Sequence, residues 1–192
     1  SCGDKEDILL PKSNVTIVSN VVDHSPIYIF FRTKGKDTLA EVNRKNSIIS
    51  TNWILNIDKR LPLRLVIPEV MKLQEKKRKD SDYKNELAQN YYTYMDSVKK
   101  NLAFISFEKV YYKLEKPKYG VVVFFNKNNE ILVSDIIVKR ENLENYLNDL
   151  PSDKPNKFIF CFDKNLKYGN YVQNKIFIES LKIEGKSEEE FI

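Results

Sequence analysis

Side chains able to do acid–base, metal or nucleophilic chemistry are few and widely spaced in this chain. The sequence contains one histidine, His24, and two cysteines, Cys2 and Cys161, which are too few for a zinc site built from His and Cys. Carboxylates at 141/144 and 188–190 resemble the paired acids of hydrolases, but nothing in the sequence fixes the distance between them. Neither a glycine-rich phosphate loop nor a nucleophile elbow occurs. We therefore predict no catalytic residue, no metal and no cofactor.

The composition is that of a folded protein. The chain has 192 residues, 42% of them hydrophobic, with 11 Tyr, 11 Phe and 1 Trp. This length suits one domain or two small ones, and the apolar content is sufficient to offset the loss of chain entropy. The longest apolar runs, such as 121–125, are far shorter than the roughly 20 residues that span a bilayer. No transmembrane helix is predicted.

The two cysteines have different surroundings. Cys161 lies in the apolar run 158–162 and is predicted to be an unreactive strand residue. Cys2 follows the small residue Ser1 and precedes the polar stretch 3–7. This arrangement resembles the start of a mature bacterial lipoprotein, and the resemblance implies a lipid anchor on the Cys2 sulfur. The alternative is a shortened chain whose second residue happens to be Cys.

The net charge of +5 is concentrated in a basic run of five residues: Lys72, Lys76, Lys77, Arg78 and Lys79. Such a run suits an acidic partner, but cations at a helix C-terminus are commonly solvated and complement the helix dipole. Most of the cations are Lys, whereas Arg is favoured for contacts with phosphates and bases. Nucleic acid is therefore not predicted as a partner.

Hydrophobic patterning predicts alternating strands and helices. We expect strands at 14–22, 27–31, 50–57, 102–107, 120–125, 131–138, 158–162 and from 190, and helices at 140–150 and 168–181. A further helix should begin near residue 63, with a kink or a later start because of Pro68. Residues 79–101 are charged and rich in Tyr, so we interpret them as an insertion. Its Tyr83, Tyr91, Tyr92 and Tyr94 are the predicted interaction surface, with Tyr91, Tyr92 and Tyr94 as the tentative binding residues. The alternative is that half of these tyrosines pack on their own domain.

An internal repeat organises the chain. At an offset of 105, residues 53–61 lie over 158–166, and each segment is an apolar strand that ends in Asp-Lys-x-Leu and leads into a helix. Upstream, 30–31 lie over 124–125 at an offset of 94, which leaves 11 extra residues in the second copy for the helix at 140–150. The prediction is a tether at 1–13, a first domain at 14–116 with the insertion 79–101, and a second domain at 117–192. Asp58 and Asp163 are expected to cap turns.

The second domain resembles the periplasmic domain of the ExbD/TolR family. The segment 162–169, Phe-Asp-Lys-Asn-Leu-Lys-Tyr-Gly, matches a family motif between the third strand and the second helix, with Phe in place of Ala. The resemblance implies an α+β fold of two tandem small sheet-plus-helix domains of ExbD/TolR-like type. It also implies tentative binding residues: Asp163, Lys164, Tyr168 and Gly169. Tyr168 and Gly169 alternatively only set the geometry of the helix start.

The resemblance also implies a location and a class of partner. ExbD/TolR proteins work in proton-driven motors of the Gram-negative envelope, which energise outer-membrane transport or maintain the cell wall, and their periplasmic domains tend to form homodimers. This sequence lacks their transmembrane helix and its proton-carrying aspartate. We therefore predict a non-catalytic envelope module, lipid-anchored in the periplasm or outer membrane, that binds a partner protein or peptidoglycan. The alternatives are a soluble cytosolic regulator that uses residues 72–79, and a dimeric spacer.

Overall fold

The computed structural model describes residues 8–79 and 85–192, which fold into two mixed β-sheets and three α-helices. The predicted α+β class and the two tandem sheet-plus-helix units are thereby confirmed. Within these ranges, no helix is long and apolar enough to cross a bilayer.

The first sheet is built by the N-terminal half. Its elements are β1 (Lys12–Ser13), β2 (His24–Lys34), β3 (Asp37–Asn43), β4 (Asn52–Ile57), α1 (Leu63–Lys79), β5 (Asn90–Asp96) and β6 (Asn101–Ser106). Strands β2, β4 and β5 run parallel, while β3 is antiparallel to β2 and β6 is antiparallel to β5. The short strand β1 pairs in parallel with the end of β5.

The second sheet repeats this plan. Its elements are β7 (Tyr111–Lys113), β8 (Val121–Phe125), β9 (Ile131–Val133), β10 (Ile136–Ile137), α2 (Arg140–Asn148), β11 (Phe158–Phe162), α3 (Tyr168–Ser180) and β12 (Lys186–Phe191). The order β9-β8-β11-β12 matches β3-β2-β4-β5, with the same parallel and antiparallel pairs. Because β7 pairs with β12, the second sheet includes residues that precede the predicted boundary at 116/117.

The strand register corrects the alignment of the two units. Ile29 lies opposite Ile57 in the first sheet, and Phe125 lies opposite Phe162 in the second. Since 57 and 162 are equivalent at the offset of 105, Ile29 is equivalent to Phe125, at an offset of 96 rather than the predicted 94. The second unit therefore contains nine extra residues between these strands, not the predicted 11. Nine residues is the length of α2.

Both sheets contribute to one hydrophobic cluster. Alternate residues of β2, such as Ile27 and Ile29, are buried in it, while Tyr28 between them faces solvent. The cluster also contains the apolar side of α1 and the aromatic side chains of β11 and α3. A smaller cluster of Val21, Ile54 and Phe104 lies on the other face of the first sheet. Burial of these side chains, each contributing roughly 1.5–3 kcal/mol, stabilises the two units together.

The two units meet through backbone hydrogen bonds related by a pseudo-two-fold axis. The Leu63 N–H donates to the Leu166 carbonyl at 3.0 Å, and the equivalent Tyr168 N–H donates to the Leu61 carbonyl at 2.8 Å. In a second equivalent pair, the Arg64 N–H donates to the Lys164 carbonyl at 2.8 Å, and the Gly169 N–H donates to the Lys59 carbonyl at 3.0 Å. The first N–H groups of a helix lack partners within that helix. Here each of α1 and α3 receives its capping carbonyls from the other unit.

Several predicted elements differ from the structure. Residues 14–22 form no strand but run along the edge of the first sheet, where Val18 makes a bridge to Phe104. The predicted strand 131–138 is interrupted because Ser134 and Asp135 have positive φ. The helix α1 begins at Leu63, directly after Pro62, and continues through Pro68. The last strand, β12, is longer than predicted because its polar residues 186–189 pair with neighbouring strands.

Candidate functional site

The predicted tyrosine surface is wrong for Tyr92 and Tyr94, and Tyr83 lies outside the described residues. Residues 90–96 are not an insertion but β5, a strand inside the first sheet. Tyr92 and Tyr94 point into the core and are fully buried, so neither can contact a ligand. Tyr91 points to the opposite face and is partly buried against the smaller cluster around Ile54. The run of aromatic and β-branched residues at 91–94, Tyr-Tyr-Thr-Tyr, was the signal for a strand that the charged neighbouring residues obscured.

The residues matched to the family motif form the junction between the two units. Tyr168 is fully buried, and the Gly169 N–H donates to the Lys59 carbonyl at 3.0 Å. Asp163 accepts the backbone N–H of Asn165 at 2.8 Å, as a turn-capping residue does. Lys164 is exposed and contributes its backbone carbonyl to the junction. Tyr168 and Gly169 are thus structural residues, and the structure does not support their predicted binding role.

Asp58 caps the equivalent turn in the first unit. Its carboxylate accepts the Arg60 backbone N–H at 3.0 Å and two guanidinium N–H groups of Arg60 at 2.9 Å. Burial acts to raise the pKa of Asp58, but the hydrogen bonds from Arg60 and from the Leu9 N–H outweigh it, so the pKa is lowered. The predicted capping role of both Asp58 and Asp163 is confirmed.

The N-terminal residues are only in part a tether. Cys2 lies outside the described residues. From Leu9 onward the chain is bonded to the body: the Lys59 N–H donates to the Leu9 carbonyl at 2.7 Å, and the Met95 N–H donates to the Pro11 carbonyl at 2.8 Å. The predicted tether therefore does not extend over residues 9–13, because these residues complete the edge of the first sheet.

A chain of buried polar side chains connects the two sheets. The hydroxyls of Tyr92 and Tyr112 lie 2.5 Å apart, and those of Tyr112 and Tyr171 lie 2.8 Å apart. Tyr171 donates to Glu190 at 2.6 Å, and Glu190 pairs with Lys175 at 2.8 Å. Burial, more than any other influence, raises the pKa of each of these tyrosines well above 10. The tyrosines therefore remain protonated near neutral pH, and this network holds the sheets in register.

Of the five residues of the basic run, one is buried and four are exposed. Lys77 is buried, with its ammonium 2.9 Å from Asn90 Oδ1 and 4.7 Å from the centre of the Trp53 ring. The guanidinium of Arg78 lies 4.8 Å from the centre of the Tyr111 ring and donates to a backbone carbonyl. Lys72 and Lys79 pair with glutamates of the same helix. Lys72, Lys76, Arg78 and Lys79 thus lie at the surface, and three of them contact other groups of the same chain.

An exposed surface on the first sheet has the features that the sequence assigned to Tyr91, Tyr92 and Tyr94. We name it the β2–β3 surface and define it by five residues: Tyr28, Phe30, Arg32, Leu39 and Glu41. The rings of Tyr28 and Phe30 are nearly parallel, with centres 6.0 Å apart, and Tyr28 is 37% exposed. Arg32 lies 4.6 Å from the centre of the Phe30 ring and pairs with Glu41 at 2.8 Å.

One edge of the first sheet is covered by other residues of the chain, and the other edge is open. Beyond β6, Val18 and Phe104 exchange two backbone hydrogen bonds of 3.0 and 2.9 Å, and the adjacent face is covered by Val18 and Val21. At the other edge, β3 has β2 as its one partner within the described ranges. The β2–β3 surface and this edge of seven residues are therefore adjacent and open.

The described residues provide no obvious metal centre. In residues 8–79 and 85–192, no three His, Cys, Asp or Glu side chains are grouped so as to hold a metal ion. His24 is the first residue of β2, and its ring hydrogen-bonds to the Val21 carbonyl at 2.6 Å. Burial raises the pKa of Cys161 to about 11, in accord with the inert strand cysteine that the sequence predicts.

Comparison of the chain with protein-family models, with curated proteins and with solved structures gave no match. The resemblance to the ExbD/TolR family stays a prediction that rests on the motif at 162–169 and on the order of elements in the second unit.

Proposed function

We propose that this chain is a non-catalytic binding module of the Gram-negative cell envelope, which binds a partner protein through the β2–β3 surface. The observation that carries the proposal is the open edge of β3 beside the aromatic pair of exposed Tyr28 and half-buried Phe30. A free strand edge offers unpaired backbone N–H and C=O groups to an extended segment of another chain. Tyr and Arg are the residues that most often supply binding energy at protein interfaces.

A protein fits this surface better than a glycan does. The Arg32 guanidinium lies over the Phe30 ring, so part of the ring face on which a sugar would stack is already covered. The strand itself alternates partly buried with exposed residues over 37–43, among them Leu39, and contains neither Lys nor Pro. Lys and Pro are the residues with which proteins commonly block an edge against strand addition. An added strand would thus place its own side chains alongside Tyr28 and Leu39.

The envelope location rests on Cys2 and on the family resemblance. If Cys2 is acylated, five residues separate it from Ile8, and the six steps between the Cα atoms of Cys2 and Ile8 span about 20 Å at most. Because residues 9–13 are bonded to the body, the anchor would hold the protein close to the membrane surface. The cytosolic alternative receives less support, since Lys77 and Arg78 of the basic run make internal contacts.

Site-specific photocrosslinking tests the binding surface. A photoreactive residue at Leu39, introduced in the producing bacterium, should give a discrete adduct with another protein, whereas the same residue at the exposed Val22 should not. The adduct should be lost with Tyr28→Ala and should persist with Tyr119→Ala, an exposed tyrosine outside the surface. An adduct that is insensitive to Tyr28→Ala would refute the surface. Sedimentation with purified peptidoglycan that depends on Tyr28 would assign the surface to glycan instead.

Acyl labelling tests the location separately. Radiolabelled palmitate should enter the natural protein but not Cys2→Ala, and the variant should move to the soluble fraction. If neither protein is labelled, the anchor is wrong, while the crosslinking result still stands on its own.

A further inference from the structure

A cavity whose chemistry differs from that of the β2–β3 surface lies between the two units. It is a groove of about 630 Å³ between the N-terminal segment and α3, which we name the α3 groove. Its walls include four apolar side chains: Val15, Ile17, Ile176 and Phe177. Arg140 is its one arginine, and Lys12 and Glu179 also line it. The groove thus combines an apolar surface with a guanidinium.

Arg140 is held in place by amide groups. Its guanidinium donates to Asn129 Oδ1 at 3.1 Å and to Asn174 Oδ1. Asn174 is fully buried and in turn donates to Asn129 Oδ1 at 2.8 Å. The guanidinium also lies 5.2 Å from the centre of the Phe177 ring. Three side chains, Asn129, Asn174 and Phe177, therefore fix its position beside the apolar wall, and none of them is negatively charged.

Among the residues that the structure describes, no carboxylate neutralises the positive charge of Arg140. Every salt bridge formed by the described residues joins other side chains. Burial lowers the pKa of Arg140, and no acidic neighbour among these residues offsets that effect. The acid that lines the groove, Glu179, interacts with Lys175 and Lys186 instead, although burial raises its pKa. A partly buried cation without a counter-charge is costly, and a bound anion would remove that cost.

We propose that the α3 groove binds an amphiphile with a carboxylate head and an apolar tail. The carboxylate pairs with the Arg140 guanidinium, whose planar fork suits the two oxygens of that group. The tail lies along Ile176 and Phe177 on one side and along Val15 and Ile17 on the other. A fatty acid and the C-terminus of an apolar peptide both have this chemistry. The proposal concerns a different surface from β2–β3 and does not depend on it.

Two ligands with the same tail and different head groups measure the contributions of head and tail to binding separately. By titration calorimetry, decanoate should bind the natural protein more tightly than decanol, which has the same tail and no charge. Arg140→Gln should weaken decanoate binding about ten- to a hundredfold and leave decanol unchanged, since a hydrogen-bonded charge pair contributes on this scale. Arg64→Gln, which changes an exposed arginine outside the groove, is the control and should bind as the natural protein does. Equal decanoate affinity in natural protein and Arg140→Gln would overturn the proposal.

A second variant tests the apolar wall without touching Arg140. Val15 is 46% exposed, so Val15→Asp should leave the fold intact, and it should weaken both decanoate and decanol. Unchanged binding in this variant would also overturn the proposal. A short apolar peptide with a free C-terminus, compared with its amidated form, identifies the source of the ligand. Preference for the free peptide over decanoate favours a peptide terminus, and the reverse order favours a lipid.

Discussion

Gly169 provides the sharpest test of the junction between the two units. It is the second residue of α3, and its N–H donates to the Lys59 carbonyl. A Cβ atom added at Gly169 would lie 2.9 Å from the Cβ of Lys59. Ala is intrinsically the better helix former, by about 1 kcal/mol. We nevertheless predict that Gly169→Ala destabilises the protein, because the two turns would have to separate.

The expected size of the effect follows from this contact. Carbon atoms in normal contact lie about 3.5–4.0 Å apart, so the turns must move by roughly 0.6–1 Å. Overpacking of this kind costs about 1–3 kcal/mol, against which the helix propensity of Ala returns part. The free energy of unfolding should therefore fall by about 1–2 kcal/mol. For a protein of this size, the melting temperature should fall by about 3–6 °C.

Urea unfolding followed by circular dichroism measures the change, and a double-mutant cycle identifies its cause. Lys59→Gly removes the Cβ that the new methyl group meets, so it should recover stability in combination with Gly169→Ala beyond the sum of the single changes. Asn170→Ala, the next residue of α3, is the control for helix propensity and should change stability little. If Gly169→Ala is as stable as the natural protein, or if the two changes are simply additive, the close contact between the turns is wrong.

Three further predictions concern buried polar groups. Burial lowers the pKa of Lys77 to about 8, below the roughly 10.4 of an unfolded lysine. Between these two pH values the unfolded chain binds more protons than the folded protein, so the free energy of unfolding measured in urea should rise by about 1–2 kcal/mol from pH 7.5 to 9.5. The Lys77→Met variant should not show this rise. Tyr171→Phe should lower the free energy of unfolding by about 1.5–3 kcal/mol, because Glu190 loses a hydrogen-bond donor. Tyr168→Phe, one turn away, should leave it unchanged, since the Tyr168 hydroxyl has no hydrogen-bond partner in the described part of the chain. Equal losses in the two variants would contradict this prediction. Cys161 should react with a thiol reagent at pH 8 about 100-fold more slowly in the folded protein than in urea, and fast labelling would show that the strand opens.

The sequence predicted the repeat because the two strand-to-helix units keep the same local pattern. Trp53 and Phe158 lie over one another at the offset of 105, as do the start of α1 at Leu63 and the start of α3 at Tyr168. Short motifs of this kind are determined by neighbours in the chain: the apolar strand, the capping aspartate and the amphipathic helix. Strand register depends instead on distant pairing, and for that reason the offset of the first strands was in error by two residues.

Features formed between distant residues could not be predicted. The hydrogen-bonded side chains from Tyr92 to Glu190 belong to four strands and helices that are far apart in sequence, so no local pattern reveals this network. Tyr92 and Tyr94 were mistaken for an exposed surface because their neighbours at 80–90 are charged and polar. No pattern in the sequence marked Arg140 as a binding residue either, because its distance from carboxylates depends on tertiary packing.

The reciprocal capping of α1 and α3 has a consequence for assembly. In a symmetric dimer of separate chains, a contact of this type forms only as fast and as fully as the protein concentration permits. Here both halves belong to one polypeptide, so each meets the other at an effective concentration set by the connecting segment. We therefore expect the pairing to persist at any dilution. Either half produced alone would have helix N–H groups without acceptors, and the two halves supplied as separate fragments should recombine into one folded complex.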